Sequence, residues 1–204
     1  MDSKKAIAQL KKINEIKGDM RLAAESWDSK FKTLISTLLS ARTLDETTIK
    51  VCSTLFEKFP DAKKLSEASL VEIQSIIKPV NFYITKSKNI IGCAKILSEK
   101  YDGNVPLKYD RLIELPGVGN KTANVFLSEN GYNTIGVDTH VYFIAHYLDW
   151  SNGKGSEDVE NDLKKLFPES YWKELNSILV KFGKKYTSRK RKKELLDEIK
   201  NIKV

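Results

Sequence analysis

Apolar residues recur along most of this 204-residue chain at the three- and four-residue spacing that places them on one face of an α-helix. No segment shows the sustained alternation of a half-buried strand, so the sequence predicts an all-α fold. Turn residues, among them the string FPDAKK at 59–64, separate the helical patterns. The predicted helices are 6–16, 31–40, 49–59, 70–77, 87–97, 107–114, 120–129, 139–148, 157–166, 171–182 and 193–202.

The string LPGVGNKTANV, which begins at Leu115, predicts a tight turn between the helices at 107–114 and 120–129. Two glycines in the turn permit a hairpin whose exposed N–H groups, together with the start of the second helix, can bind a phosphate. Pro116 is expected to end the first helix and Asn120 to cap the second. Many DNA-binding proteins that catalyse nothing contain such hairpins, so the glycines alone predict only contact with a sugar-phosphate backbone.

Two residues near this hairpin have side chains suited to catalysis. Lys121 follows the second glycine, and Asp138 lies seventeen residues later in the string GVDTHV. A lysine amine that attacks the C1′ of a damaged nucleoside displaces the base and leaves a Schiff base, from which the 3′ phosphate is lost by β-elimination. A carboxylate could stabilise the positive charge at C1′. The alternatives are an ordinary helix lysine and a structural N-cap that accepts from the N–H of His140 or Val141.

Composition narrows the cellular setting. No run approaches eighteen apolar residues and the N-terminal residues are charged throughout, so we expect an intracellular protein (cytoplasm or nucleoid in a prokaryote) without a membrane span or secretory signal. Cys52 and Cys93 are the two cysteines of the chain, and neither has another cysteine nearby in the sequence. Two cysteines are too few for the usual all-cysteine zinc or iron–sulfur site. They are predicted to be buried thiols.

The formal charge of +8 is concentrated in one segment. Residues 181–193, KFGKKYTSRKRKK, contain eight Lys or Arg and no acid, and the remainder of the chain has 27 basic and 27 acidic residues. A solvated charged surface is one interpretation of this run. Its single sign and its aromatic residues favour contact with a polyanion, although the charges alone do not distinguish nucleic acid from acidic lipid.

Taken together, these motifs resemble the endonuclease III family. The resemblance extends from about residue 31 to 183 and rests on five strings in the same order and at similar spacing: LLSARTLDE from Leu38, NFYITKSKNI from Asn81, DGNVP from Asp102, LPGVGNKTANV from Leu115 and VDTHV from Val137. It implies a two-lobed, all-α helix-hairpin-helix-GPD fold with a DNA cleft between the lobes. One lobe would be residues 22–132, and the other would combine 1–21 with 133–204.

The resemblance also implies an activity and a set of site residues. The activity is that of a base excision repair glycosylase with an associated AP lyase, in which Lys121 is the nucleophile and Asp138 the catalytic carboxylate. Flipping the target nucleotide requires a side chain that fills the vacated stack. The family's pattern assigns Phe82 as this wedge and Arg42 as the reader of the opposite strand, with Ser40 lining the pocket. The full set of predicted DNA-contacting residues is Ser40, Arg42, Phe82, Gly117, Val118, Gly119, Asn120, Lys184, Lys185, Arg189, Lys190 and Arg191.

Two of these positions have alternative or altered interpretations, and two neighbouring residues are assigned structural roles. Phe82 could simply belong to the core. Arg42 replaces the glutamine more familiar in the bacterial enzymes, which leaves the opposite-base preference open. Asp45 is expected to cap the following helix, and His140 to pack or to support Asp138.

The C-terminal region departs from the family's pattern. Typical members have four cysteines there that bind a [4Fe–4S] cluster, whereas this chain has none after residue 93. We therefore expect no metal and no cofactor. Packing of Leu195, Leu196, Ile199 and Ile202 is expected to hold the region instead, with the basic run contacting DNA.

Several functions remain open within the superfamily. The lysine–aspartate pair favours a glycosylase/lyase acting on oxidised pyrimidines in double-stranded DNA, with a damaged base or abasic site as the ligand and a monomer as the expected state. A mismatch glycosylase acting on T or U opposite G usually lacks the hairpin lysine. An adenine-removing relative would have a glutamate near Thr37. An 8-oxoguanine lyase shares the pair, and a non-catalytic hairpin module would need neither residue.

Overall fold

The computed structural model describes residues 2–203, which contain α-helices, one short 3₁₀ helix and connecting turns, and no strand. The all-α prediction is therefore confirmed. The α-helices of this described part are α1 (Ser3–Ile16), α2 (Lys30–Ser40), α3 (Asp45–Lys58), α4 (Ala62–Ser66), α5 (Leu70–Ile77), α6 (Tyr83–Tyr101), α7 (Tyr109–Leu112), α8 (Asn120–Glu129), α9 (Thr139–Tyr147), α10 (Ser156–Leu166), α11 (Trp172–Lys185) and α12 (Arg189–Lys200). The 3₁₀ helix is Glu169–Tyr171. No helix within residues 2–203 is both long and apolar enough to cross a bilayer.

The helices form two compact units. The middle unit is Arg21–Asn130, and the terminal unit consists of the residues up to Met20 together with those from Gly131 onward. Lys121 belongs to the middle unit and Asp138 to the terminal unit.

The middle unit is built around α2 and α6. Helix α2 contacts α3, α6 and α8, while α6 packs against α4 and α5. Eight of the eleven residues of α2 are buried, namely Phe31 and all seven from Thr33 to Leu39, and Ser29 caps the helix by accepting from the Lys32 N–H. Each fully buried leucine or isoleucine contributes about 1.5–3 kcal/mol to folding, so burial of α2 contributes substantially to the stability of the unit.

The terminal unit holds its C-terminal helix by both packing and hydrogen bonds. Leu195, Leu196 and Ile199 of α12 are buried, as predicted, whereas Ile202 lies beyond the helix and is only partly buried. The buried Gln9 side chain accepts from the Trp150 indole at 2.7 Å and donates to the Ile199 carbonyl at 3.4 Å. A buried amide requires such partners; the bond to Ile199 joins α1 to α12, and the bond from Trp150 joins α1 to the segment after α9.

A second group of contacts joins α12 to the end of α9. The Tyr147 hydroxyl donates to Asp197 at 2.8 Å. The Lys200 ammonium donates to the Tyr147 carbonyl at 3.0 Å and lies 2.7 Å from the Asp149 carboxylate.

The structure corrects three sequence predictions of element boundaries. FPDAKK is not simply a turn: Ala62 begins α4, because Asp61 caps it at 2.8 Å and both Ala62 and Leu65 are fully buried. The first helix of the hairpin is the single turn α7 rather than 107–114, because Leu115 and Val118 form tight turns in which their N–H groups bond to carbonyls three residues back. The basic run is mostly helical, since α11 extends to Lys185 and α12 begins at Arg189.

Candidate active site and nucleic-acid interface

The hairpin turn closes through a hydrogen bond from the Val118 N–H to the Leu115 carbonyl at 3.0 Å. Pro116 and Gly117 occupy the two central positions, and Gly117 has φ +81°. Proline followed by a residue with positive φ is the pattern of a type II turn, which strongly prefers glycine at the second position. The turn is therefore specified by these two residue types.

The two glycines of the hairpin are required for different reasons. A Cβ on Gly117 would lie 2.8 Å from the Asn89 side-chain nitrogen of α6, in addition to the strained positive φ. Gly119 has an ordinary extended backbone (φ −99°, ψ 179°), and a Cβ there would meet nothing within 4 Å. The protein's own packing thus requires a glycine at 117 but not at 119.

Helix α8 begins at Asn120, and its N-cap is Gly119 rather than the predicted Asn120. The Ala123 N–H bonds to the Gly119 carbonyl at 3.0 Å, which makes Asn120 the first helical residue. The Asn120 side chain accepts instead from Asn124 at 2.6 Å. Within the described residues no side chain caps α8, so its first N–H groups and the positive end of its dipole are available to an anion.

Lys121 is the second residue of α8 and is partly exposed. Ala123, Phe126 and Leu127 on the same helix are buried in the core of the middle unit, which fixes the helix that carries the lysine. Among residues 2–203 the Lys121 ammonium has no hydrogen-bond or ion-pair partner. The structure therefore leaves a positioned amine available at the start of the hairpin helix.

Asp138 is the N-cap of α9, which confirms its predicted capping role. Its Oδ1 accepts from the N–H groups of His140 and Val141, both at 2.9 Å. Both bonds are accepted by Oδ1. The other carboxylate oxygen, Oδ2, has no hydrogen-bond partner within the described part of the chain. The preceding backbone is also held in place, since the Asn176 amide donates to the Gly136 carbonyl at 2.5 Å.

His140 packs closely against α11. A Cβ on Gly183 would lie 2.3 Å from the His140 Nδ1, so the imidazole occupies the space that a side chain at 183 would need. This contact supports the predicted packing role of His140. It also explains Gly183, for which the sequence pattern suggested no role.

The structure brings Arg42 and Phe82 together in the middle unit. The Arg42 guanidinium carbon lies 5.6 Å from the centre of the Phe82 ring. Both residues have positive φ, +55° and +60°, and the Phe82 side chain is 58% exposed. The core interpretation of Phe82 is therefore wrong. We call residues 41–44 and 81–84, which contain this pair, the tip.

Two other predicted positions lie beside the tip. Ser40 is the last residue of α2, and its hydroxyl donates to the Thr37 carbonyl at 2.8 Å. Asp45 is the first residue of α3 rather than its N-cap, which is Leu44; its carboxylate accepts from the Ala23 N–H at 3.2 Å.

No sequence motif predicted a role for Lys86, a buried lysine whose ammonium contacts residues of the tip. Its ammonium donates to the carbonyls of Leu39 at 2.8 Å and Ala41 at 2.5 Å, and to the Thr43 hydroxyl at 3.3 Å. Burial lowers the pKa of the Lys86 ammonium to about 8. The signal in the sequence was a charged residue four positions before Ile90, on the buried face of α6.

The predicted basic DNA contacts have different environments. The Lys185 ammonium donates to the carbonyls of Ile16 and Lys17 at 2.9 and 3.3 Å, where it covers the C-terminal end of α1. Arg191 pairs with Glu194 at 3.3 Å. Lys184 is partly buried, whereas Arg189 and Lys190 are exposed at the start of α12.

The residues present do not fit a [4Fe–4S] cluster. Cys52 and Cys93 are both buried in the middle unit as unbonded thiols, which confirms their predicted state. Burial raises the pKa of each thiol to about 12. Across residues 2–203 there is no group of three or more His, Cys, Asp or Glu side chains that could hold a metal ion.

Comparison with known proteins identifies the family. Residues 35–169 match the HhH-GPD superfamily of base excision DNA repair proteins. The chain is 41% identical to endonuclease III of Thermotoga maritima over 157 residues, covering 76% of this chain and 73% of that protein. It is 34% identical to endonuclease III of Escherichia coli K12 over 168 residues, covering 82% and 79%.

A solved structure of a trapped endonuclease III–DNA covalent intermediate matches with a TM-score of 0.85 and 30% identity, over 92% of this chain and 89% of that one. Sequence and fold agree in the same assignment. The chain belongs to the endonuclease III family, the DNA glycosylases with AP lyase activity within the HhH-GPD superfamily of base excision repair proteins.

Proposed function

We propose that this protein removes oxidised pyrimidines from duplex DNA and then cleaves the resulting abasic strand through a Schiff base on Lys121. The observation that carries the proposal is the position of this lysine, whose amine is unpaired within the described residues at the start of the hairpin helix. An ordinary solvated helix lysine would also have no internal partner, so the position at the start of the hairpin helix favours the catalytic role. The chemistry below needs an amine that can approach a sugar carbon.

The hairpin supplies the grip on the DNA backbone. The uncapped N–H groups of α8 and the open side of Gly119 offer donors and space to a phosphate group. Gly117 and Asn120 form the rest of this surface, whereas the predicted contact at Val118 is corrected: its side chain is buried in the core and its N–H closes the hairpin turn. Duplex DNA that contains a damaged base or an abasic site is the proposed partner, and the protein is proposed to bind it as a monomer. Because the substrate is DNA, the enzyme is proposed to act inside the cell.

The reaction on the sugar has two stages, removal of the base and then cleavage of the strand. The Lys121 nitrogen, once it has lost a proton, attacks C1′, and the bond from C1′ to the base nitrogen breaks with its electron pair leaving on the base, which takes up a proton. Ring opening gives a Schiff base between C1′ and Lys121. Loss of a C2′ proton then expels the 3′ phosphate by β-elimination, and water hydrolyses the Schiff base to regenerate the amine.

Asp138 is proposed to stabilise the positive charge that develops at C1′ during the first step. Its Oδ1 is fixed by two backbone N–H groups, so the carboxylate is held in one orientation while Oδ2 keeps its capacity to interact. A cap and a catalytic group are compatible in one residue. The matching solved structure is itself a covalent protein–DNA intermediate, which supports the covalent route for this chain.

We further propose that the enzyme folds and acts without an iron–sulfur cluster. The contacts of α12 with Gln9, Tyr147 and Asp149 support this proposal, because they attach the C-terminal helix to its unit directly. Purified protein should contain neither iron nor acid-labile sulfide. Stoichiometric iron with a visible charge-transfer band would contradict this part of the proposal.

The lyase is tested by incubating the protein with abasic duplex DNA and borohydride. Wild-type protein should give a covalent adduct that Lys121→Ala abolishes, while Lys95→Ala, at an exposed position on α6, should leave the adduct unchanged. Absence of the adduct in the wild type would refute the lyase.

A panel of duplexes identifies the substrate. It should contain thymine glycol, 5-hydroxycytosine, uracil, 8-oxoguanine and a G·T mismatch. The proposal predicts the fastest excision for the two oxidised pyrimidines. Faster excision of 8-oxoguanine or of the mismatched thymine would assign the chain to the corresponding alternative substrate class.

A further inference from the structure

The tip is held in a conformation that its own residues disfavour. Arg42 and Phe82 both lie in the left-handed region, which is sterically unfavourable for a non-glycine residue because the Cβ approaches the following carbonyl oxygen. Such residues persist only where the surrounding structure determines their conformation. The contacts that determine it here meet at Lys86.

Lys86 joins two segments that are distant in sequence. It belongs to the first turn of α6, where its backbone N–H bonds to the Phe82 carbonyl at 3.0 Å. Its side-chain ammonium reaches the end of α2 and uses all three of its donors on the Leu39, Ala41 and Thr43 oxygens. One residue therefore fixes the backbone on both sides of the tip.

Asn81 completes a closed set of contacts around the same point. Its backbone N–H donates to the Thr43 hydroxyl at 3.2 Å, the same oxygen that Lys86 contacts, and its side-chain amide donates to the Arg42 carbonyl. Thr43 is thus shared by Lys86 and Asn81. The result is a hydrogen-bonded link between the turn that carries Arg42 and the turn that carries Phe82.

The tip exposes large apolar side chains to solvent. Leu44, Phe82 and Ile84 are 74%, 58% and 53% exposed, an unusual concentration of large apolar side chains in two short segments. Isolated exposed apolar residues need no explanation, but a cluster on a rigid support marks an interaction surface. With a guanidinium over the ring, the surface combines an apolar wedge with a hydrogen-bond donor.

We propose that Lys86 is the positioning residue that holds Arg42 and Phe82 together as one preformed unit for insertion into the opened base stack. The inference rests on the proposed function, because base removal from duplex DNA requires the nucleotide to be flipped out, and on the reader and wedge roles that the family resemblance implies for Arg42 and Phe82. Lys86 does not touch DNA; it acts by holding the turns that carry Arg42 and Phe82. Without its ammonium, the two turns lose their common support and each can relax towards ordinary backbone angles.

The test measures base-stack opening separately from binding and chemistry. The probe is a duplex with an uncleavable abasic analogue and 2-aminopurine in the opposite strand, whose fluorescence rises when its neighbours unstack. At saturating protein, Lys86→Met should lose most of the fluorescence rise seen with the wild type. The single-turnover excision rate on a thymine glycol duplex should fall by about 10-fold or more, because misplaced groups cost rate rather than binding. The dissociation constant for the duplex should remain close to that of the wild type.

Matched variants separate positioning from general loss of structure. Lys95→Met removes an exposed lysine from the same helix and should behave as wild type. Asn81→Ala removes the bond to the Arg42 carbonyl without removing a buried charge, so it should reduce the fluorescence rise in the same direction even if Lys86→Met fails to fold. Combining Lys86→Met with Phe82→Ala should add little to the effect of Phe82→Ala alone, since both changes act on one unit.

A full fluorescence rise and a wild-type excision rate in Asn81→Ala, or in folded Lys86→Met, would overturn the inference. The lyase proposal is judged independently by the borohydride adduct on a preformed abasic site. A wild-type adduct with no effect of these variants on stack opening would therefore reject the positioning role of Lys86 and leave the lyase standing.

Discussion

At the scale of single residues, some groups of the candidate site are required by the fold and others are not. Gly117 and the Asp138 Oδ1 serve the protein's own structure, through a turn and a helix cap. Gly119 and the Lys121 amine have no structural requirement among the described residues, which is why they are the best candidates for contact with DNA. Substitutions should therefore divide into those that reduce stability and those that reduce function.

The two hairpin glycines provide a matched pair for this distinction. Gly117→Ala should destabilise the protein by about 1–3 kcal/mol, because alanine must adopt a positive φ next to the Asn89 side chain. Gly119→Ala should leave unfolding by urea almost unchanged but weaken duplex binding, because its Cβ projects towards the proposed phosphate. Loss of stability at 119, or unaltered DNA binding there, would contradict this assignment.

Asp138 can be tested for its two roles in the same way. Asp138→Asn retains a side-chain oxygen for the cap, so its melting temperature should stay near that of the wild type, while single-turnover base excision should fall by about 100-fold or more. Asp138→Ala removes the cap as well and should cost about 1 kcal/mol of stability. Wild-type excision in the asparagine variant would leave Asp138 with only its structural role.

At the scale of elements, the helix starts with clear signals were predicted well. The bounds of α5 and α8 agree with the predicted 70–77 and 120–129, because Ser69 caps one and the hairpin turn ends just before the other. Helix α4 was not predicted because its five residues are too few to show a period. The α7 boundary depends on two tight turns that the proline alone did not locate.

The site was predicted unevenly for a related reason. Lys121 and Asp138 lie in strings with a local signature, so their positions could be predicted from sequence order. The left-handed tip depends on Lys86 contacts with residues 43 to 47 positions away, and no local pattern reports them. Likewise, the Lys185 contact with the end of α1 joins opposite ends of the chain.

The effect expected from replacing a basic residue of segment 181–193 depends on the contacts that its helix gives it. Arg189 and Lys190 are exposed on the first turn of α12, so replacing both with glutamine should lower the slope of log Kd against log salt by up to about 2, as expected when two phosphate contacts are lost. Lys185→Gln should mainly lower stability, because it uncovers the α1 carbonyls. An unchanged salt slope in the double variant would make these charges an ordinary solvated surface.

At the scale of the whole molecule, both cysteines of the sequence lie in the middle unit as buried thiols. Cys52 and Cys93 keep their protons in the folded state up to a pKa of about 12, while an unfolded chain releases them near pH 9. Their contribution to stability is therefore complete below pH 9 and is lost as the pH rises towards 12.

Two measurements follow from this state of the thiols. The folded protein should react slowly with a thiol reagent at pH 8, and two thiols should react rapidly after denaturation. Replacing both cysteines with alanine should flatten the decline of unfolding free energy between pH 9 and 12, relative to the wild type. Rapid modification of the folded protein would contradict their burial.

Locating the covalent bond between protein and DNA tests the proposed role of Lys121 directly. Wild-type protein is reduced with borohydride on an abasic duplex, digested with nuclease and protease, and sequenced by mass spectrometry. The deoxyribose remnant should lie on Lys121, in the peptide that follows the hairpin glycines. A remnant on another amine, such as Lys86 or the N-terminus, with Lys121 unmodified, would contradict that role.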